Sequence, residues 1–94
     1  MRDTLIYLAE TYFHQDWDLN APTPLGVLQS FKESEATETV GSLRADVQSL
    51  LAGDPTEERL RDIWFHQGRA DWDPTRHGWT TFREWFEAVL RTTC

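Results

Sequence analysis

The sequence predicts an all-α domain, a small bundle of about five helices. Three observations predict it. Apolar residues recur at helical spacing almost throughout the chain. Two stretches, Asp54-Pro55-Thr56-Glu57 and Thr81-Phe82-Arg83-Glu84, carry helix-capping signatures. No segment alternates with period two for long enough to make a strand. With 94 residues, the chain has room for one domain, spanning residues 1–94, and its core must be small and dense.

The elements follow in order. Leu5, Leu8, Ala9 and Tyr12 fall at i, i+3, i+4, i+7, and Ile6 and Phe13 widen that stripe. Asp3 or Thr4 can cap this first helix, and Asp18-Leu19-Asn20-Ala21-Pro22 breaks the pattern. Thr23-Pro24 then supplies a cap and a first-position proline for a short second helix with Val27, Leu28 and Phe31 inside. A third helix is expected from Glu35 to Ala52, with Val40, Leu43, Val47, Leu50 and Leu51 on one face and Gly53 as its stop. Asp54 and Pro55 read as cap and first residue of a fourth helix, lined by Leu60, Ile63 and Trp64 and ended by Gly68. Residues 69–79 read as a loop broken by Pro74 and Gly78. Phe82, Trp85, Phe86, Val89 and Leu90 mark the last helix.

Charge narrows the functional classes. Sixteen acids against nine bases give a net charge of −7. That argues against nucleic acid and anionic membrane as partners, both of which need clustered positive charge. The acidity is local: residues 3–58 hold eleven acids and two bases, whereas residues 59–94 hold five acids and six arginines. One cysteine, Cys94, cannot form an intramolecular disulfide. No apolar run reaches the roughly 18 residues of a membrane span, and no signal-peptide pattern opens the chain. The cytoplasm is the expected compartment.

Catalytic and metal chemistry find little support. His14, Asp16, His66, His77 and Cys94 are ligand types, but no pair has the spacing of a metal site. His14 and His66 end helical turns, where a cation complements the helix dipole. There is no Gly-x-Ser-x-Gly and no phosphate-cradling loop. The expectation is a non-enzyme with no cofactor and no metal.

Binding is what remains. Asp16-Trp17-Asp18 and Asp71-Trp72-Asp73 each set an indole between two carboxylates. An aromatic anchor ringed by acids suits a basic partner. Equally, both indoles could fold onto the bundle while the acids cap turns. The two segments sit in a faint internal echo, Tyr12-Phe13-His14-Gln15 against Trp64-Phe65-His66-Gln67. Glu33, Glu35 and Glu38 form a second acidic group around the start of the third helix, partly explained by the preference for acids there.

The hexapeptide Tyr12-Phe13-His14-Gln15-Asp16-Trp17 after a short amphipathic helix resembles the N-terminal signature of CdiI-type immunity proteins of contact-dependent growth inhibition and related polymorphic-toxin systems. The likeness continues through the Leu50-to-Gly53 helix end, Gly78-Trp79-Thr80 and Glu84-Trp85. It implies a cytoplasmic antitoxin that binds the C-terminal toxin domain of a large exported effector and blocks its active site or substrate path. Toxins of such systems are often nucleases, which suits an acidic inhibitor. The resemblance carries no catalytic residues. A basic toxin domain is thus the expected partner of a monomer or weak dimer, with Asp16, Trp17, Asp18, Glu33, Glu35, Glu38, Asp71, Trp72 and Asp73 as candidate contacts. The competing reading is an acidic cytoplasmic adaptor or regulatory subunit for another basic protein. A small metal-dependent hydrolase is a distant third.

Overall fold

The structure, a computed structural model, describes residues 3–19, 21–76 and 78–93. Asn20, His77 and Cys94, named above as a helix breaker and as ligand types, lie outside the described residues. Five helices form the bundle: α1 (Asp3–Tyr12), α2 (Pro24–Ser34), α3 (Thr37–Ala52), α4 (Glu57–Asp62) and α5 (Phe82–Thr92). Short 3-10 turns occupy Trp17–Leu19 and Pro74–Arg76. No strand occurs among the described residues. The all-α expectation holds.

The apolar stripes face inward as their spacing requires. Leu5, Leu8 and Ala9 of α1 meet Val40, Leu43 and Val47 of α3, and α5 adds Phe82, Trp85, Phe86 and Val89. Thr23 caps α2 by accepting from Gly26 N–H, with Pro24 in the first turn. Thr81 caps α5 by accepting from Glu84 N–H, and the Glu84 carboxylate reaches back to Thr80 N–H at 3.0 Å. Both caps follow the sequence signatures.

Three boundaries differ from expectation, and in the first a distant group supplies the cap. Asp3 and Thr4 lie inside α1. Its first turn is capped from α3 by Asp46, whose Oδ2 accepts from Thr4 N–H at 2.9 Å and Leu5 N–H at 3.2 Å. Glu35 does not begin α3: it sits in extended backbone between α2 and α3 and returns its N–H to Phe31. Thr56, not Asp54, caps α4 by accepting from Arg59 N–H. Asp54 adopts φ 49°, the left-handed turn that leaves α3, while Gly53 stays at φ −80°.

The helical run that begins with α4 ends at Gly68 as the sequence predicts, but the form of its last turn was not legible there. Ile63–Gln67 continue α4 as a π-helical turn, and Gly68 N–H donates to the Ile63 carbonyl at 2.8 Å. Arg69, at φ 55°, then turns the chain out of the helix. Gly68 is glycine for space rather than for backbone freedom. A Cβ there would stand 2.6 Å from the Ala9 Cβ on α1.

The largest correction concerns burial in the loop after α4. Residues 69–76 are the expected loop, with a 3-10 turn at Pro74–Arg76, but Ala70, Trp72 and Pro74 are buried. Trp72 closes one side of an aromatic core. Its ring lies 5.1 Å from Phe13 in a stack and 4.7 Å from Trp85 edge-on. Trp64 completes the group, and its Nε1–H donates to the Trp72 carbonyl at 2.8 Å. Rings at 4.5–7 Å add to the stabilisation that their burial supplies. This cluster welds α1, the π turn, the 69–79 segment and α5 together.

Candidate binding surface

The two Asp-Trp-Asp segments and Glu35 meet at the C-terminal end of α1. Tyr12 and Phe13 are consecutive but serve opposite sides. Phe13 is buried against Trp72, and its carbonyl accepts from Asp71 N–H at 2.8 Å. Trp17 is half-buried, with its ring 5.8 Å from Trp72. The two Asp-Trp-Asp segments, fifty-odd residues apart in sequence, are therefore neighbours. On the other side, the Tyr12 hydroxyl donates to Glu35 Oε2 at 2.7 Å, so the α2–α3 junction bearing Glu33, Glu35 and Glu38 abuts the same helix.

The candidates divide by what they already do. Asp16, Asp18, Glu33, Glu38 and Asp71 are exposed. Glu35 is half-buried, and its Oε2 also accepts from the Tyr7 hydroxyl at 2.8 Å. It clasps α1 to the α2–α3 junction rather than presenting a free charge. Asp73 accepts from Thr75 N–H at 2.9 Å and Thr75 Oγ1 at 2.6 Å, which organises the turn at Pro74–Arg76. Trp72 is only 2 % exposed and is no surface anchor. An indole flanked by carboxylates folds inward here because the backbone directs Trp72 to the core while Asp71 stays at the surface. Of the two proposed aromatic anchors only Trp17 keeps a partly open ring.

The hexapeptide Tyr12–Trp17 thus works in the fold. Phe13 is core, Tyr12 closes the Glu35 clasp, and His14 Nδ1 accepts from Asp16 N–H at 3.0 Å to shape the turn out of α1. His66 Nδ1 meets the Asp62 carboxylate at 2.9 Å one helical turn away.

Tyr7 was missed by sequence reasoning. It falls off the apolar stripe of α1, and 39 % of its surface is open. Its ring packs 6.2 Å from both Tyr12 and Phe31. The Glu35 hydrogen bond first, then desolvation, raises the Tyr7 hydroxyl above its ordinary pKa. Burial first, then the same hydrogen bond, raises Tyr12 strongly. Both phenols stay protonated as donors. The available signal was the helical line Asp3, Tyr7, Glu10, two acids around an aromatic at i, i+4, i+7.

A shallow groove of about 350 Å³ lies between α4 and α5, lined by Glu57, Glu58, Arg61, Thr75, Thr80 and Phe82. Both Glu57 oxygens are committed to the first turn of α5, accepting from Phe82 N–H at 2.7 Å and Arg83 N–H at 3.1 Å. Among the described residues no three His, Cys, Asp or Glu side chains converge on a metal-sized site, and no helix is long and apolar enough to cross a membrane.

Comparison with known proteins agrees with this architecture. No curated relative matches the chain. The fold matches a chain in the crystal structure of the CdiA-CT/CdiI complex from Y. kristensenii 33638 with a TM-score of 0.89, covering 98 % of this chain and 97 % of that one at 23 % identity. That likeness speaks to the fold. The model of the CdiI immunity protein family matches residues 3–93. The chain belongs to the CdiI immunity protein family.

Proposed function

We propose that this protein is the immunity partner of a CdiA toxin domain and neutralises it by stoichiometric binding rather than by catalysis. The observation that carries the reading is the family match over residues 3–93. The similar fold occurs in a complex described as CdiA-CT with CdiI, which supports a protein partner. The toxin presents a basic surface, and the carboxylates of Asp16, Asp18, Glu33, Glu38 and Asp71 face it. A nuclease is the toxin chemistry that fits best, because a cleft built for phosphates attracts carboxylates, and the bound inhibitor then occludes the substrate path. Such attraction accelerates encounter and weakens with salt, since the Debye length falls from about 10 Å at 0.1 M to about 3 Å at 1 M. The encounter takes place in the cytoplasm.

Co-expression tests the reading. The toxin domain encoded directly upstream should arrest growth when expressed alone, and this chain should restore growth and co-purify with it in a one-to-one complex. Continued arrest with both proteins folded and present would overturn the proposal. Replacing Glu33 and Glu38 together by Gln should slow association and flatten its salt dependence, whereas Glu84→Gln with Glu87→Gln on α5 should not.

A further inference from the structure

The acids considered so far steer a partner but do not hold it, because each is a solvated charge on a flexible side chain. Lasting complexes are held by an aromatic or arginine anchor that is already fixed before binding. Two large apolar side chains are exposed among the described residues, Leu25 at 44 % and Tyr7 at 39 %. They differ in how they are held. Tyr7 is tied by its hydroxyl to Glu35 Oε2 at 2.8 Å, and its ring rests on Tyr12 and Phe31 at 6.2 Å each. Its rotamer entropy is therefore spent in folding, and one part of its ring remains in water.

Charge decides what such a ring receives. Asp3 and Glu10, one turn to either side on α1, are exposed and have no side-chain partner among the described residues. The sequence from Asp3 to Phe31 contains no lysine or arginine. Glu35, at the hydroxyl end of the ring, adds a carboxylate whose oxygen already receives two phenol protons. A phenol face attracts a cation held within about 6 Å of its centroid. A planar guanidinium can stack on that face while hydrogen bonding to a flanking carboxylate.

We propose that Tyr7, fixed by Glu35 and flanked by Asp3 and Glu10, is the anchor point on which the toxin domain docks, receiving an arginine side chain from its basic surface. The inference rests on the function proposed above and assigns its contact centre to the exposed face of α1. None of Asp3, Tyr7 or Glu10 belongs to the acidic groups read from the sequence, although Glu35 links them to one of those groups.

Binding kinetics with the toxin domain encoded upstream provide the test, at low and high salt, after each variant's unfolding midpoint is measured. Tyr7→Ala should weaken affinity by roughly 30-fold or more, mostly through faster dissociation. Asp3→Asn with Glu10→Gln should slow association and reduce its salt dependence. Tyr12→Phe removes only the second phenol's bond to Glu35 and leaves Tyr7 tied and exposed, so it should stay within about threefold of the parent, as should Leu25→Ala. Should Tyr7→Ala fail to fold, the Asp3 and Glu10 pair decides alone, since both side chains are exposed. If the parent chain binds but the Tyr7 and the Asp3–Glu10 variants match it, the anchor assignment is wrong and the functional reading stands. If the folded parent does not bind the toxin domain at all, the functional reading falls and the anchor with it.

Discussion

Trp85→Ala probes the aromatic core that brings the two Asp-Trp-Asp segments together. Trp85 is fully buried on α5. Its ring lies 4.7 Å from Trp72, 4.9 Å from Trp79, 5.3 Å from Phe13 and 5.6 Å from Trp64. Truncating such a residue costs about 3–5 kcal/mol, and the upper half applies where rigid rings on four sides cannot collapse into the space. A domain of this length is stable by roughly 5–14 kcal/mol, so the loss removes about a third or more of it. The unfolding entropy expected for this length, about 0.2 kcal/mol per degree, converts 4 kcal/mol into a midpoint lowered by about 20 °C. Trp85→Phe should be far milder, below about 1.5 kcal/mol. It keeps a ring in place and deletes the buried Nε1–H, which has no hydrogen-bond partner among the described residues. Thermal and urea unfolding followed by far-ultraviolet circular dichroism avoids the fluorescence that the substitution itself changes. A cooperative transition lowered by less than about 5 °C in Trp85→Ala would refute the packing argument, as that corresponds to only about 1 kcal/mol.

Three further outcomes follow from particular contacts. The chain has two tyrosines, and both donate to Glu35, so phenolate absorbance reports that clasp alone. Folded-state pKa values raised above the ordinary 10 mean that stability is complete below pH 10 and is lost as pH rises through the folded values. Absorbance titration should show both phenols ionising late, and Glu35→Gln should bring them back toward ordinary behaviour; a normal midpoint in the folded parent would contradict the clasp. Gly68→Ala should destabilise by about 1–3 kcal/mol despite alanine's better helix propensity, because the new Cβ would meet Ala9 Cβ at 2.6 Å and the Trp64 carbonyl at 2.9 Å. A raised midpoint would show that α1 yields easily. Glu57→Ala should cost about 1–2 kcal/mol by uncapping two amides of α5, while Glu58→Ala should stay within about 0.5 kcal/mol; equal effects would remove the capping role.

The acidic groups proposed for toxin binding were only partly legible. Composition located the charge in residues 3–58, and the exposed positions of Asp16, Asp18, Glu33 and Glu38 agree with that. A sequence cannot tell a carboxylate left in solvent from one already accepting hydrogen bonds. Glu35 and Asp73 read like their neighbours yet hold two phenols and a turn, respectively. Asp46, unremarked in the sequence, and Glu57, read there as part of the α4 cap signature, each cap a helix from another element.

Local periodicity and local chemistry determined what they act on directly. The spacing of Phe82, Trp85, Phe86 and Val89 dictated the buried face of α5, and Thr23-Pro24 and Thr81 dictated where α2 and α5 begin. These signals operate within one or two helical turns, so one strand of sequence contains both partners. Tertiary structure decided the π turn after α4, the burial of Trp72 and the exposure of Tyr7. Each depends on a group far away in the chain: Ala9 against Gly68, Phe13 and Trp85 against Trp72, Glu35 against Tyr7. An aromatic in a stretch without periodicity has no local preference for core or solvent. Which it takes is fixed only when the helices close and the space beside it is filled or left open.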